Sequence, residues 1–169
     1  MAAEVEWLQS LMEAGVPVAV PLPAIDGPWA VKLDEPAKVI VAFRRAPGAV
    51  TKPEEWTDAR LESWGELLGR LQAHGRGFRP VGEPRRTLLE RSNLHLAAEA
   101  LPDDPAFLRA VGELRGAAEN LLDHGQDSGL VHSDLHSGNV LLHEEHWTAI
   151  DFDDSGYGAY AFDLAMPLY

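Results

Sequence analysis

Asp134, Asn139 and Asp151 are the residues of this chain whose types and spacing could do chemistry. They stand in His132-Ser133-Asp134-Leu135-His136-Ser137-Gly138-Asn139-Val140-Leu141-Leu142 and in Ile150-Asp151-Phe152-Asp153-Asp154. A carboxylate can orient a hydroxyl, while an amide oxygen and a second carboxylate can hold magnesium. Phosphoryl transfer asks the protein mainly for positioning and charge neutralisation, so three oxygen-bearing side chains on one rim suit it.

Gathering them on one rim requires a hairpin. Val140-Leu141-Leu142 and Trp147-Thr148-Ala149-Ile150 read as two short strands, with His143-Glu144-Glu145-His146 as the polar turn between them. Asn139 precedes the first strand and Asp151 follows the second. Closing the hairpin brings both to one end, where facing side chains stand about 5 Å apart. Asp134, on the loop entering the hairpin, can face the same opening.

These residues resemble the aminoglycoside phosphotransferase and choline kinase superfamily, whose pattern is His-x-Asp-Leu-His-x-Gly-Asn, then Ile-Asp-Phe/Trp-x-Asp, then Asp-Leu-Ala. Here that is His132 to Asn139, Ile150 to Asp154 and Asp163-Leu164-Ala165. The double Asp and Gly156-Tyr157-Gly158 are most similar to the stress-response-kinase-like branch. The resemblance implies Asp134 as catalytic base, Asn139 and Asp151 as magnesium ligands, and Asp163 as a buried carboxylate bracing the catalytic loop. ATP and Mg2+ are the implied cofactors, and the partners are a nucleotide and a hydroxyl-bearing substrate.

The resemblance continues upstream. Glu4 to Leu11, ending at Ala14-Gly15-Val16-Pro17-Val18, is similar to the family's first helix, and Glu4 falls where a glutamate pairs with the phosphate-binding lysine. Val39-Ile40-Val41-Ala42-Phe43 resembles the strand before the adenine hinge, with Phe43, Arg44, Arg45 and Ala46 as nucleotide contacts and Pro47-Gly48 closing it. Trp64 to Leu71 resembles a helix that usually ends in Leu-His, where Gln72 replaces the histidine. Ser133 replaces a common glycine, a small-for-small change. In the family a glycine-rich loop and a lysine strand precede the Glu4 helix, and further helices follow the Asp163 segment. The expectation is therefore a member truncated at both ends. Lys32, which comes after the Glu4 helix, reads as a solvated surface lysine.

The implied fold is α+β and protein-kinase-like: partial N-lobe strands, then a mainly helical C-lobe with a catalytic-loop hairpin. Residues 1–46 would be a remnant N-terminal lobe, a helix plus a hairpin, and 47–169 an incomplete catalytic lobe. From the periodicity, a helix spans about Glu4 to Ala14 with Val5, Leu8, Leu11 and Met12 on one face. Prolines at 17, 21 and 23 force an extended chain next. Trp29–Leu33 and Lys38–Phe43 read as a hairpin turning at Asp34 to Ala37. Thr51-Lys52-Pro53-Glu54 has capping-box spacing, opening a helix with Leu61, Trp64, Leu68 and Leu71 in register before Gly75. Further helices are expected over about Thr87–Ala100 and Ala106–His124, the second stopped by Gly125.

A chain of 169 residues suits one domain or a truncated two-lobe one, and 46% apolar content is ordinary for a globular protein. The net charge of −13 argues against a nucleic-acid partner, which needs clustered Lys and Arg, and is compatible with a cationic substrate. The Arg85-Arg86 pair reads as a solvated face. Without cysteines there is neither a disulfide nor a thiolate metal site. No apolar run approaches the roughly 20 residues of a membrane span, and the N-terminus lacks a signal-peptide pattern. A cytoplasmic protein without a membrane partner is the default expectation.

Two other readings compete with an active kinase. One is a catalytically inactive kinase-like binding module, motivated by the missing phosphate clamp. The other is a metal-dependent hydrolase, in which His132, Asp134 and His136, with His143 and His146, hold the metal. That second reading leaves Gly138-Asn139 and Asp151 to Asp154 unexplained. His132 and His136 are better read as structuring the loop through its backbone, and His143 and His146 as exposed turn residues. Asp153 is a candidate accessory group at the metal or substrate site. The five tryptophans read as core or interface packing.

Overall fold

The computed structural model describes residues 2–34, 38–81, 87, 99–123 and 127–168. Helix α1 (Ala2–Glu13) buries Val5, Leu8 and Leu11 as the periodicity predicts. It ends where Gly15 adopts φ +70° and donates to the Met12 carbonyl at 2.9 Å, while Val16 N–H reaches back to Leu11 at 2.9 Å. That left-handed stop is one glycine takes without steric cost. Met12, expected on the buried face, is exposed at the edge of the stripe, and Trp7 completes the stripe instead.

The prolines after α1 do give extended chain, part of which pairs. β1 (Val20–Leu22) runs antiparallel to β4 (Ala42–Arg44), with Pro21 opposite Phe43. β2 (Val31–Leu33) pairs with β3 (Lys38–Ile40). The single strand expected from Lys38 to Phe43 is thus two strands broken at Val41, because the chain changes partner there and one ladder cannot serve both. Trp29, expected in packing, is 38% exposed just ahead of β2.

The capping-box signal at Thr51 does not start the long helix. Lys52 N–H does bond the Glu55 carboxylate at 2.9 Å, but it closes only a 3-10 turn, Pro53–Glu55. Helix α2 (Asp58–Gly77) begins instead at Thr57, whose hydroxyl accepts from Arg60 N–H. Trp64, Leu67, Leu68 and Leu71 are buried, whereas Leu61 is exposed in the first turn. Gly75 does not stop this helix; it lets α2 approach a strand, since a Cβ there would lie 1.9 Å from the Leu130 carbonyl oxygen. Helix α3 (Pro105–Asp123) starts with proline in the position that needs no N–H, capped by the Asp104 carboxylate at 3.0 Å from two amides. The expected helix over Thr87–Ala100, the turn at residues 35–37, the Arg85-Arg86 pair and the Gly125 stop lie largely or wholly outside the described residues.

Two nested antiparallel pairs complete the frame: β5 (Ser128–Val131) with β8 (Gly156–Ala159), and between them in sequence β6 (Val140–His143) with β7 (His146–Ala149). The β6–β7 hairpin is the expected one, with a tighter turn in which Glu144 and Glu145 both take positive φ. β5 and β8 are strands that periodicity missed, their glycines hiding the alternation. Helix α4 (Tyr160–Ala165) follows β8. The hairpin is tied to the N-terminal segment by Ala19 N–H to Ala149 O at 2.8 Å and Ala149 N–H to Pro17 O at 3.0 Å. A shared core of Trp7, Leu8, Leu71, Leu130, Trp147 and Phe152 lies between these elements. Among the described residues no helix is long and apolar enough to cross a membrane.

Candidate active site

The register of the nested pairs decides where the candidate residues go. Val131 faces Gly156 and Val140 faces Ala149, so loops 132–139 and 150–155 run side by side between the same two paired strand ends. Ile150 N–H donates to the Asn139 carbonyl at 3.0 Å and joins the loops. Asn139 is buried, and its amide nitrogen donates at 2.9 Å both to the Asp134 carbonyl and to Asp134 Oδ2. With the nitrogen committed to Asp134, the amide oxygen is the atom left to meet a cation.

Asp151 is exposed and holds φ +65°, a left-handed conformation that Asp adopts more readily than most non-glycine residues. Its carboxyl pKa is raised, first by partial desolvation where it lines the cavity, then by a hydrogen bond with Asp153 and the negative charges of Asp153, Asp134 and Asp154. Asp134 and Asp151 are therefore within electrostatic reach of each other, and a cation would relieve the crowding. The trio read from the sequence is gathered at one edge. No group of three His, Asp or Glu side chains close enough to grip a metal occurs among the described residues. One carboxylate plus one amide oxygen fits a magnesium ion that keeps phosphate and water ligands, not a closed protein cage.

The surrounding residues hold the loop. His132 is fully buried; its Nε2–H donates to the Ile150 carbonyl at 2.9 Å and its Nδ1 accepts from Asp134 N–H at 3.3 Å. Burial lowers its pKa to about 4. With both ring nitrogens occupied it has no lone pair for a metal, which removes the geometric basis of the hydrolase reading. His136 is exposed, accepts from Gly138 N–H at 2.9 Å, and places Nε2 3.7 Å from Asp134 Oδ2. His143 and His146 are exposed at the far end of the hairpin. Asp163 is fully buried and accepts from Ser133 N–H at 2.7 Å. Its pKa is raised to about 6 by burial, which outweighs the opposing Ser133 amide, Gln72 side chain and His132 amide. Ser133 takes φ +67°, which explains why glycine is common there, and its hydroxyl donates to the Asp154 carbonyl.

A cavity of about 440 Å³ opens beside this edge. Glu4 of α1 lines it, as do Phe43, Arg44, Arg45 and Ala46 at the end of β4, and Ile150, Asp151, Phe152 and Asp153. The residues expected to contact nucleotide thus meet the expected metal carboxylate in one space, although they are more than a hundred positions apart in sequence. Ala19 and Ile150 also line it and were not foreseen; small or apolar residues carry no chemical signal of their own. Asp134, Asn139 and His136 are not part of the cavity wall. Lys32 is exposed on β2, and none of the three lysines lines the cavity.

The fold defined by this site is protein-kinase-like. A solved amicoumacin kinase, hAmiN in complex with AMP-PNP, Ca2+ and Ami, superposes with a TM-score of 0.79 at 24% identity, covering 99% of this chain and 52% of that one. A microcompartment-associated aminopropanol kinase superposes with a TM-score of 0.65 at 25% identity, covering 98% and 57%. The model of the phosphotransferase enzyme family matches residues 1–169, and the chain belongs to that family. It is 27% identical over 175 residues to the amicoumacin kinase of Bacillus subtilis (strain 168), covering the whole of this chain and 52% of the relative. The chain spans about half the length of the curated relatives it matches from end to end.

Proposed function

We propose that this chain carries the catalytic edge and part of the nucleotide site of an ATP-dependent phosphotransferase. It would move the γ-phosphoryl group to a hydroxyl of a small molecule, with a protein Ser or Thr as the other acceptor class. The observation that carries this reading is the single cavity in which Glu4 and residues 43–46 meet Asp151, beside the hydrogen-bonded pair Asp134–Asn139. Asp134 orients the acceptor hydroxyl and takes its proton, its carboxylate held by the Asn139 amide. Asn139 and Asp151 would hold Mg2+, with Asp153 as the accessory carboxylate nearby. Magnesium, when bound, neutralises charge on the phosphate oxygens. Glu4 and the 43–46 segment bind the nucleotide, while His132, His136 and Asp163 keep the loop in shape. The net charge of −13 suits a cationic acceptor, and ATP as donor suits the cytoplasm. Residues 1–46 belong to the nucleotide-side lobe in this reading and 47–169 to the catalytic lobe, with Ala46 in the cavity where they join.

Calorimetric titration with ATP, with and without magnesium, tests it. Magnesium-dependent binding is expected, and its absence would remove the proposal for this chain. Asp151→Ala should abolish the magnesium dependence. Asp134→Asn should leave binding intact and slow turnover by at least about a hundredfold, the lower range for loss of a general base. A second reading, a binding module without catalysis, is favoured by the cavity wall, whose cations are Arg44 and Arg45 and include no lysine. Magnesium-dependent ATP binding with no turnover would select it.

A further inference from the structure

We propose that His74 is a positioning residue for the Asp151 end of the cavity: as a neutral imidazole protonated on Nε2, it ties Trp7 of α1 to α2 and, through Trp7, sets the Phe152 ring and the backbone before it. The link to nucleotide rests on the function proposed above; the link between side chains does not. The tautomer follows from the partners. An indole N–H can only donate, and Trp7 Nε1 lies 3.2 Å from His74 Nδ1. Nδ1 is therefore the bare nitrogen and Nε2 carries the proton, 3.0 Å from the Ser10 hydroxyl oxygen. One imidazole thus engages two residues of α1, the helix that places Glu4 in the cavity.

The coupling continues inward. Trp7 is fully buried and stands edge-on to Phe152, ring centroids 5.4 Å apart at 75°. Phe152 packs in turn on His132 at 4.4 Å. It directly follows Asp151, whose backbone stands at φ +65°, so only one peptide bond separates the ring's residue from that left-handed turn. A change in how Trp7 sits is therefore felt at the residue proposed to hold magnesium.

Burial lowers the His74 pKa, and the hydrogen bond at Ser10 offsets part of that. The charged groups around the ring are engaged elsewhere. On α1, Glu6 accepts from Val81 N–H and Glu4 lines the cavity. On α2, Arg70 donates to the Gly15 carbonyl and Arg76 lies over the Tyr160 ring. In the segment of Phe78, which stacks on His74, Arg79 donates to the Phe78 carbonyl. Protonation would set an N–H against the indole N–H and break the Trp7 bond. The arrangement is complete above the ordinary imidazole pKa and is lost as the pH falls through the lowered one.

The test follows the indole and backbone N–H resonances of the full chain by NMR between about pH 8 and about pH 5, the range in which an imidazole changes charge. Trp7→Phe identifies the Trp7 signal. The Trp7 indole and the Asp151 and Phe152 amides should share the His74 midpoint. His74→Asn keeps an acceptor for Trp7 without a titrating proton, and it should remove that midpoint from all three signals. His74→Phe should place the Trp7 signal at its unbonded position at every pH and weaken Mg·ATP binding by about fivefold, the low end of coupling between sites, with His74→Asn restoring it. Amides at 151 and 152 that ignore His74 in every variant would overturn the inference. If the unaltered chain binds no Mg·ATP, the functional reading falls, while the resonances still decide the coupling.

Discussion

Ser133 and Asp163 show how much of the catalytic loop depends on single groups. Ser133 accepts a left-handed backbone that glycine would hold more easily, and its hydroxyl bonds the Asp154 carbonyl across the two loops. Ser133→Ala keeps the backbone strain and loses that bond, so thermal unfolding should show a destabilisation of about 1 kcal/mol. Asp163 is the second case. Its folded pKa of about 6 stands above the ordinary 3.8, so between those values the folded chain keeps a proton the unfolded chain has released. The stability due to the protonated form is present below 3.8 and falls as pH rises towards about 6. Asp163→Asn retains an oxygen for Ser133 N–H and cannot ionise. Denaturant midpoints of the two proteins should diverge in favour of the variant across that window and run parallel above it; curves parallel throughout would refute the assignment.

At the scale of elements, contact distance separates glycines that serve packing from those that do not. Gly75 lets α2 lie against β5, because a methyl group there would meet the Leu130 carbonyl at 1.9 Å. Gly75→Ala must push helix from strand, and overpacking of this kind costs about 1–3 kcal/mol. Gly65, exposed on the same helix with nothing within 4 Å of its Cβ position, gives the opposite sign. Gly65→Ala should stabilise by about 0.5–1 kcal/mol through helix propensity. Urea unfolding of the two variants checks both signs in one host. The helix beginning at Thr57 rather than Thr51 carries the same lesson, since the local motif at Thr51 is real but closes only one short turn.

For the whole molecule, the governing quantity is a net charge of −13 on 169 residues. Like charges repel in the compact state, and salt screens them over about 10 Å at 0.1 M. The melting temperature should therefore rise when sodium chloride is raised from about 0.02 M to about 0.3 M. The bidentate Arg60–Glu145 pair, at 2.6 and 3.1 Å, works against that trend, but it is one surface pair set against the repulsion of the whole net charge. A melting temperature that falls with salt would show that local ion pairs outweigh the overall repulsion.

The chain's letters alone determined the candidate trio, the hairpin joining Asn139 to Asp151, the stop at Gly15 and the absence of thiol chemistry. These are short-range features: a strand period, a turn, a spacing within one loop. Tertiary structure alone decided that Ala19 and Ile150 join the cavity wall, that the chain from Lys38 to Arg44 serves two different partners, and that Trp7 rather than Met12 completes the buried stripe. It also decided the pairing of β5 with β8, which sets both loops side by side although their glycines hide any alternation. Periodicity reports which face of an element is apolar. It does not report what that face meets, because burial is settled by contacts between residues far apart in the chain.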